Sequence, residues 1–214
     1  MGELGEILSR TAMLARAGAG RVALALVLMV GPGFLIDSGA TSEQGANGLI
    51  LLTSVVNFFL QYWLTRALLA DLGFEVPQRS RLLAFLGVSM VTGFGISLGL
   101  LLLVIPGLVL IARWSIALPL LLSSDAGVFA SIEQSWRQTR GYVWPIIASF
   151  LIIYVPGLAL YFGGVWLVST SGLSYPGILA MNFVLSASLI AAWHASVAIF
   201  TLLNSSPRMA EIFE

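Results

Sequence analysis

Six long apolar segments alternate with short polar connections in this chain, and the positive charge falls on every second connection. The segments run over 22–36, 48–70, 82–105, 107–122, 142–168 and 176–203. A bilayer core about 30 Å thick takes about 20 apolar residues per helical crossing. Inside lipid every backbone N–H and C=O needs an internal partner, which an α-helix supplies within one segment. The strict alternation that an outer-membrane barrel requires is absent from these segments. The expected fold is therefore all-α, a polytopic transmembrane bundle of six spans. Composition agrees: 58% of residues are hydrophobic and 9% charged, where soluble domains carry about 25% charged residues.

The chain has ten arginines and no lysine. Arg10, Arg16 and Arg21 precede the first span, and Arg66, Arg79 and Arg81 flank the connection 71–81. Arg137 and Arg140 lie between the fourth and fifth spans, and Arg208 follows the sixth. The remaining connections hold only Asp37 and Glu43. Positive residues stay on the cytoplasmic side, so both termini are expected there. Formal net charge is zero, which gives no reason to expect a nucleic-acid partner. The lack of cysteine excludes disulfides, thiolate metal sites and a cysteine nucleophile. An alternative reading of the N-terminal region treats 22–36 and the small residues Ser38, Gly39 and Ala40 as a cleaved signal peptide; the long leader with Glu3 and Glu6 argues for a retained span.

Two shorter stretches read as amphipathic interfacial helices. In 3–17, Leu4, Ile7, Leu8, Thr11, Leu14 and Ala15 recur at helical spacing. In 125–140, Val128, Phe129, Ile132 and Trp136 fall within about 100° of a helical wheel. Glu133, Gln134, Arg137 and Gln138 take the other side. This stripe is expected to sink into the headgroup boundary, with Arg137 and Arg140 meeting anionic lipid phosphates; the plainer reading is a connecting helix over the bundle's end. Pro-Gly steps at 32–33, 106–107, 156–157 and 176–177 mark span ends or kinks, with a tight turn expected at Pro106-Gly107 and a kink at Pro156-Gly157. Shifting the chain by 124 positions lays Arg16 on Arg140 and Pro32 on Pro156, so an interfacial helix followed by a hairpin can be read twice.

The stretch 66–147 contains RALLADLGFEVPQRSRLLAFLG, then GLLLLVIPGLVLIARWSIALPLLL, then SIEQSWRQTRGYVWPII. Ile105-Pro106-Gly107, Arg113, Pro119, Ser135-Trp136-Arg137, Arg140-Gly141 and Trp144, in that order and spacing, resemble the glycerophosphoryl diester phosphodiesterase membrane-domain family and its relatives among bacterial six-span proteins. In some members this membrane module precedes a soluble phosphodiesterase barrel. Glu214 stands eleven residues after the last span, so the resemblance implies a stand-alone membrane module of a bacterial inner membrane, with no catalytic residue to carry over.

Arg113 stands out among the polar residues. Counted from Gly107 it lies about 9 Å below the outer boundary, where a charge costs at least about 2.5 kcal/mol. No acid lies within a span, so its partners are freed carbonyls near Pro106 and Pro119, the amides of Asn57 or Gln61, water or a lipid phosphate. Structural stapling of the hairpin and contact with an anionic ligand both fit. His194, the sole histidine, lies near mid-depth without the companions that a metal site needs, which favours a packing role. Asn57 and Gln61, one turn apart, are the kind of residues that join helices through hydrogen bonds. With His194 and Arg113 they would alternatively line a polar path. Gly95 and Gly99 form a GxxxG step for close helix packing. Trp136 and Trp144 near the inner boundary and Trp166 near the outer make an aromatic belt.

No GxSxG, HExxH or P-loop occurs, and no cofactor is implied. The expected function is a non-enzymatic membrane-organising, sensing or partner-binding module. Membrane lipids with anionic headgroups are its expected partners, with a partner protein or a second copy as further candidates. The alternative is a small transporter or lipid-handling protein, and an intramembrane enzyme comes third.

Overall fold

The computed structural model describes residues 2–171 and 174–204; Arg208 lies outside them. The described residues form nine α-helices and one 3₁₀ turn, with no strand. They are α1 (Gly2–Ala17), α2 (Ala19–Asp37), α3 (Glu43–Asp71), α4 (Leu82–Leu102), α5 (Val104–Trp114), α6 (Ala117–Ser123), α7 (Val128–Gln138), α8 (Val143–Ser171) and α9 (Tyr175–Leu203), the 3₁₀ turn being Thr139–Gly141. Six helical stretches are long and apolar enough to cross a membrane: α2, α3, α4, α5 with α6, α8 and α9.

Local chemistry sets the helix ends beyond the apolar runs. The α3 helix starts five residues before its apolar segment because Ser42 Oγ accepts from Gly45 N at 3.2 Å, satisfying a first-turn donor. It ends on Gly73 at φ 78°, with Gly73 N donating to Ala70 O and Phe74 N to Leu69 O, both at 3.0 Å. That pairing needs a left-handed residue that glycine supplies cheaply. Phe74 then stacks 4.9 Å from Phe200, holding the following connection against α9.

The centre of the bundle is α9, the most buried span. Its packing faces are small residues such as Ser188, Ala192, Ala195 and Ala198, which let neighbouring backbones approach. Gly157 of α8 faces Ser188, and Gly33 of α2 faces Asn182. The first amphipathic helix, α1, lies against α9 and α8, burying Ile7, Thr11 and Leu14. Arg21 pairs with Asp71 at 2.6 Å, and Gln138 exchanges hydrogen bonds with Asn204 at 3.0 and 3.2 Å. The start of α2 and the ends of α3, α7 and α9 therefore share one end of the bundle, the arginine-bearing end.

An order of short helix, long helix, long helix occurs twice, as α1–α2–α3 and α7–α8–α9. Pro32 and Pro156 stand equally far from the starts of α2 and α8. Pro32-Gly33 thus lies inside α2 and does not end the span, which runs on to Asp37.

The α4–α5 hairpin departs from expectation at its turn. The reversal is made by Leu103 in an extended conformation, φ −156° and ψ 129°, while Pro106 and Gly107 sit in the first turn of α5. There the missing N–H of proline costs nothing. Gly107 instead serves contact: a Cβ added to it would stand 2.6 Å from Leu100 N. Gly99 meets Gly107, and Gly95 carries the ring of Trp114, so the GxxxG step packs within the chain. The fourth span is not continuous. Helix α5 stops at Trp114 and α6 starts at Ala117, and the Ser196 hydroxyl donates to the Ser115 carbonyl at the break.

Candidate functional site

The helix α7 folds back beside α4, α5 and α6. It buries Ser131 and Ser135, with Thr139 just beyond. Ser135 Oγ donates to Arg113 O at 2.7 Å and Thr139 Oγ1 to Ser135 O at 2.8 Å. Val128 packs on Gly87, and Ile132 is half-buried against the core. The buried face is rotated about 70° from the apolar stripe, counting 100° per residue. Only part of that stripe faces outward: Phe129 is 75% exposed and Trp136 42%. In lipid an outward face can be as apolar as an inward one, so small hydrogen-bonding residues mark the packed side.

Arg113 is positioned by two helices. It sits one residue before the end of α5, beside the last turn of α7. Its Nη1 donates to Trp136 O at 3.1 Å, and Cζ lies 5.0 Å from the Trp136 ring centroid. The guanidinium thus caps a helix C-terminus and stacks on an indole at once. Trp114, itself seated on Gly95, packs 6.4 Å from Trp136. The Arg113 Nε is buried without a partner. Neither Asn57 nor Gln61 meets it, and no carboxylate within the described residues pairs with it; the ion pairs are Arg10–Glu6, Arg21–Asp71 and Arg137–Glu133. Arg137 pairs loosely with Glu133 at 3.4 Å, both exposed, and Arg140 is exposed in the 3₁₀ turn.

Arg81 is a structural cation that the sequence did not single out. Its Nη1 donates to Leu121 O at 2.7 Å and to Ser124 O, and Nη2 to Ala126 O. It closes the C-terminal end of α6 as Arg113 closes that of α7. Arg66 supports this corner, donating to Tyr62 Oη at 3.0 Å and Pro77 O at 2.8 Å.

The remaining candidates do not converge. His194 is fully buried, its Nδ1 2.8 Å from Ile190 O and its Nε2 without a partner. Asn57 lines a cavity of about 250 Å³ between α2, α3, α8 and α9 that Gln61, Arg113 and His194 do not reach. Its neighbours there include Asp37, Tyr161, Asn182 and Ser186. Asn182 Nδ2 donates to Asp37 Oδ2 at 2.9 Å. The lone asparagine in the last apolar span was a signal for this pair, but its partner is legible only once α2 continues through Pro32. Among the described residues no three His, Asp or Glu side chains gather as metal ligands would.

Fold and site together define a multi-pass helical membrane protein. No protein-family model, curated protein or solved structure matches this chain.

Proposed function

We propose that this protein is a non-enzymatic module of a bacterial inner membrane, with both termini cytoplasmic, that engages anionic lipid headgroups at the corner of α5 and α7. The observation that carries this reading is the unspent hydrogen-bonding capacity of Arg113. A guanidinium has five N–H donors, and Arg113 places one on Trp136 O with no carboxylate among the described residues to neutralise it. A charge at this position favours an anionic, bidentate acceptor such as a phosphate. Trp136 at the corner, and Phe129 and Trp144 elsewhere on α7 and α8, are exposed, side chains suited to the headgroup boundary. The resemblance to the phosphodiesterase-associated membrane-domain family supports a module without its own chemistry.

Mass spectrometry of lipids retained by gently purified protein tests the reading, comparing the parent with Arg113→Gln. Glutamine keeps a donor for Trp136 O and removes the charge. The expected result is a specific anionic lipid present in the parent and depleted in the variant. Identical retained lipids, with only a lower melting temperature, would make Arg113 a structural clamp and overturn the proposal.

A further inference from the structure

The cavity at Asp37 lies away from the arginine-bearing end and has a different chemistry. Along α2 it runs from Asp37 back to Met29, two helical turns or about 12 Å. On α3 it reaches Asn57, the middle residue of that helix. Beneath it, Ala25, Met29, Leu60, Leu64 and Ile190 form a buried apolar cluster separate from the main core. The cavity is therefore a largely apolar recess with a dry floor and a few polar side chains, Asp37 among them at the end of α2.

An inventory of its hydrogen-bonding groups leaves one carboxylate and an orphaned amide oxygen among groups that both donate and accept. Asn182 is 6% exposed and spends its amide donor nitrogen on Asp37 Oδ2 at 2.9 Å and Ile178 O at 3.1 Å. Thr53 donates to Leu49 O at 2.7 Å. Asn57 Oδ1 is buried and receives no donor. What remains toward the recess is the second Asp37 oxygen, the Asn57 amide with its Oδ1 orphaned, and the Ser186 and Tyr161 hydroxyls. Gly33 makes room for this arrangement, since a Cβ there would stand 2.2 Å from Asn182 Oδ1. No arginine occurs between Arg21 and Arg66 or between Arg140 and Arg208, so these parts of the four helices supply no cation to neutralise Asp37.

One carboxylate, one orphaned amide oxygen and two hydroxyls suit a hard cation or a donor-rich ammonium group. A divalent ion would call for more anionic oxygens, and an anion would be repelled. A buried acceptor without a donor is costly, and a bound cation removes that cost. We infer that this recess binds a small monovalent cation, held by the Asp37 carboxylate and the Asn57 amide oxygen with Ser186 and Tyr161 beside them. The inference does not depend on Arg113.

The test follows the unfolding temperature of the detergent-purified full chain in sodium, potassium or methylammonium chloride, against choline chloride at equal total chloride. The parent should be stabilised by at least one small cation relative to choline. Asp37→Asn, which keeps an acceptor for Asn182, should shift the midpoint of that stabilisation upward by about tenfold or more. Asn57→Ala should shift it in the same direction, while Glu43→Gln, exposed on the same side of the bundle, should leave it unchanged. Response to sodium or potassium identifies an inorganic ion, and response to methylammonium alone an organic ammonium. Either supports the site. Choline matching the small cations, or an unshifted midpoint in Asp37→Asn, overturns it. If Asp37→Asn does not fold, an unshifted midpoint in Asn57→Ala overturns it equally.

Discussion

Two short helices, α6 and α7, lie side by side, and each ends against an arginine from elsewhere in the chain. The two arginines are used differently. Arg81 gives its guanidinium to the carbonyls of Leu121, Ser124 and Ala126, beyond the end of its own loop. Arg113 gives one hydrogen bond to Trp136 O and lies over the indole ring, keeping Nε buried and unpartnered. Saturation separates a clamp from a contact surface: a cation whose donors are spent on backbone holds structure, and one with donors to spare can take a ligand. The same residue type, capping the same kind of helix end, is saturated by backbone in one case and not in the other.

The largest expected effect breaks the saturated side. Arg81→Met should destabilise the protein by about 3 kcal/mol or more, since it strips a charged donor from three carbonyls at once; unfolding in a denaturing detergent titration measures it. Next comes the hairpin that presents Arg113. Gly95→Leu displaces the Trp114 ring and should cost about 2 kcal/mol through overpacking, read by the same titration. Arg113→Gln should cost about 1 kcal/mol, the scale of one net hydrogen bond, so its lipid loss should exceed its stability loss. If Arg113→Gln instead matches Arg81→Met in stability, the distinction between the two arginines fails. Smallest is Arg137→Gln, which removes an exposed pair with Glu133 and should change stability by less than about 0.5 kcal/mol.

The spans were legible because hydropathy reads the solvent that a helix crosses, and lipid is unambiguous in that respect. Segments 142–168 and 176–203 became α8 and α9 with ends shifted by three residues or fewer. Facing was less legible. In a soluble helix the apolar side is the buried side, but α7 buries Ser131 and Ser135 while Phe129 stays exposed. The break at Ser115-Ile116 was invisible for a related reason: the run through 107–122 is apolar on both sides of it, and the turn is stabilised by Ser196, 81 positions away. The Asp37–Asn182 pair spans 145 positions, and only its asparagine half stands out locally. What sequence patterning lost was the tertiary partner of each polar group, since no periodicity records it.

The broken fourth span also bears on how the protein is made. Arg113 precedes its capping carbonyl at Trp136 by 23 residues. At 5–20 residues per second of synthesis, about 1–5 s pass before that carbonyl exists. During that interval the hairpin of α4 and α5 carries an uncapped charge, and α5, only 11 residues long, is too short to cross a bilayer alone. The ribosome therefore delivers this hairpin before the part that completes it.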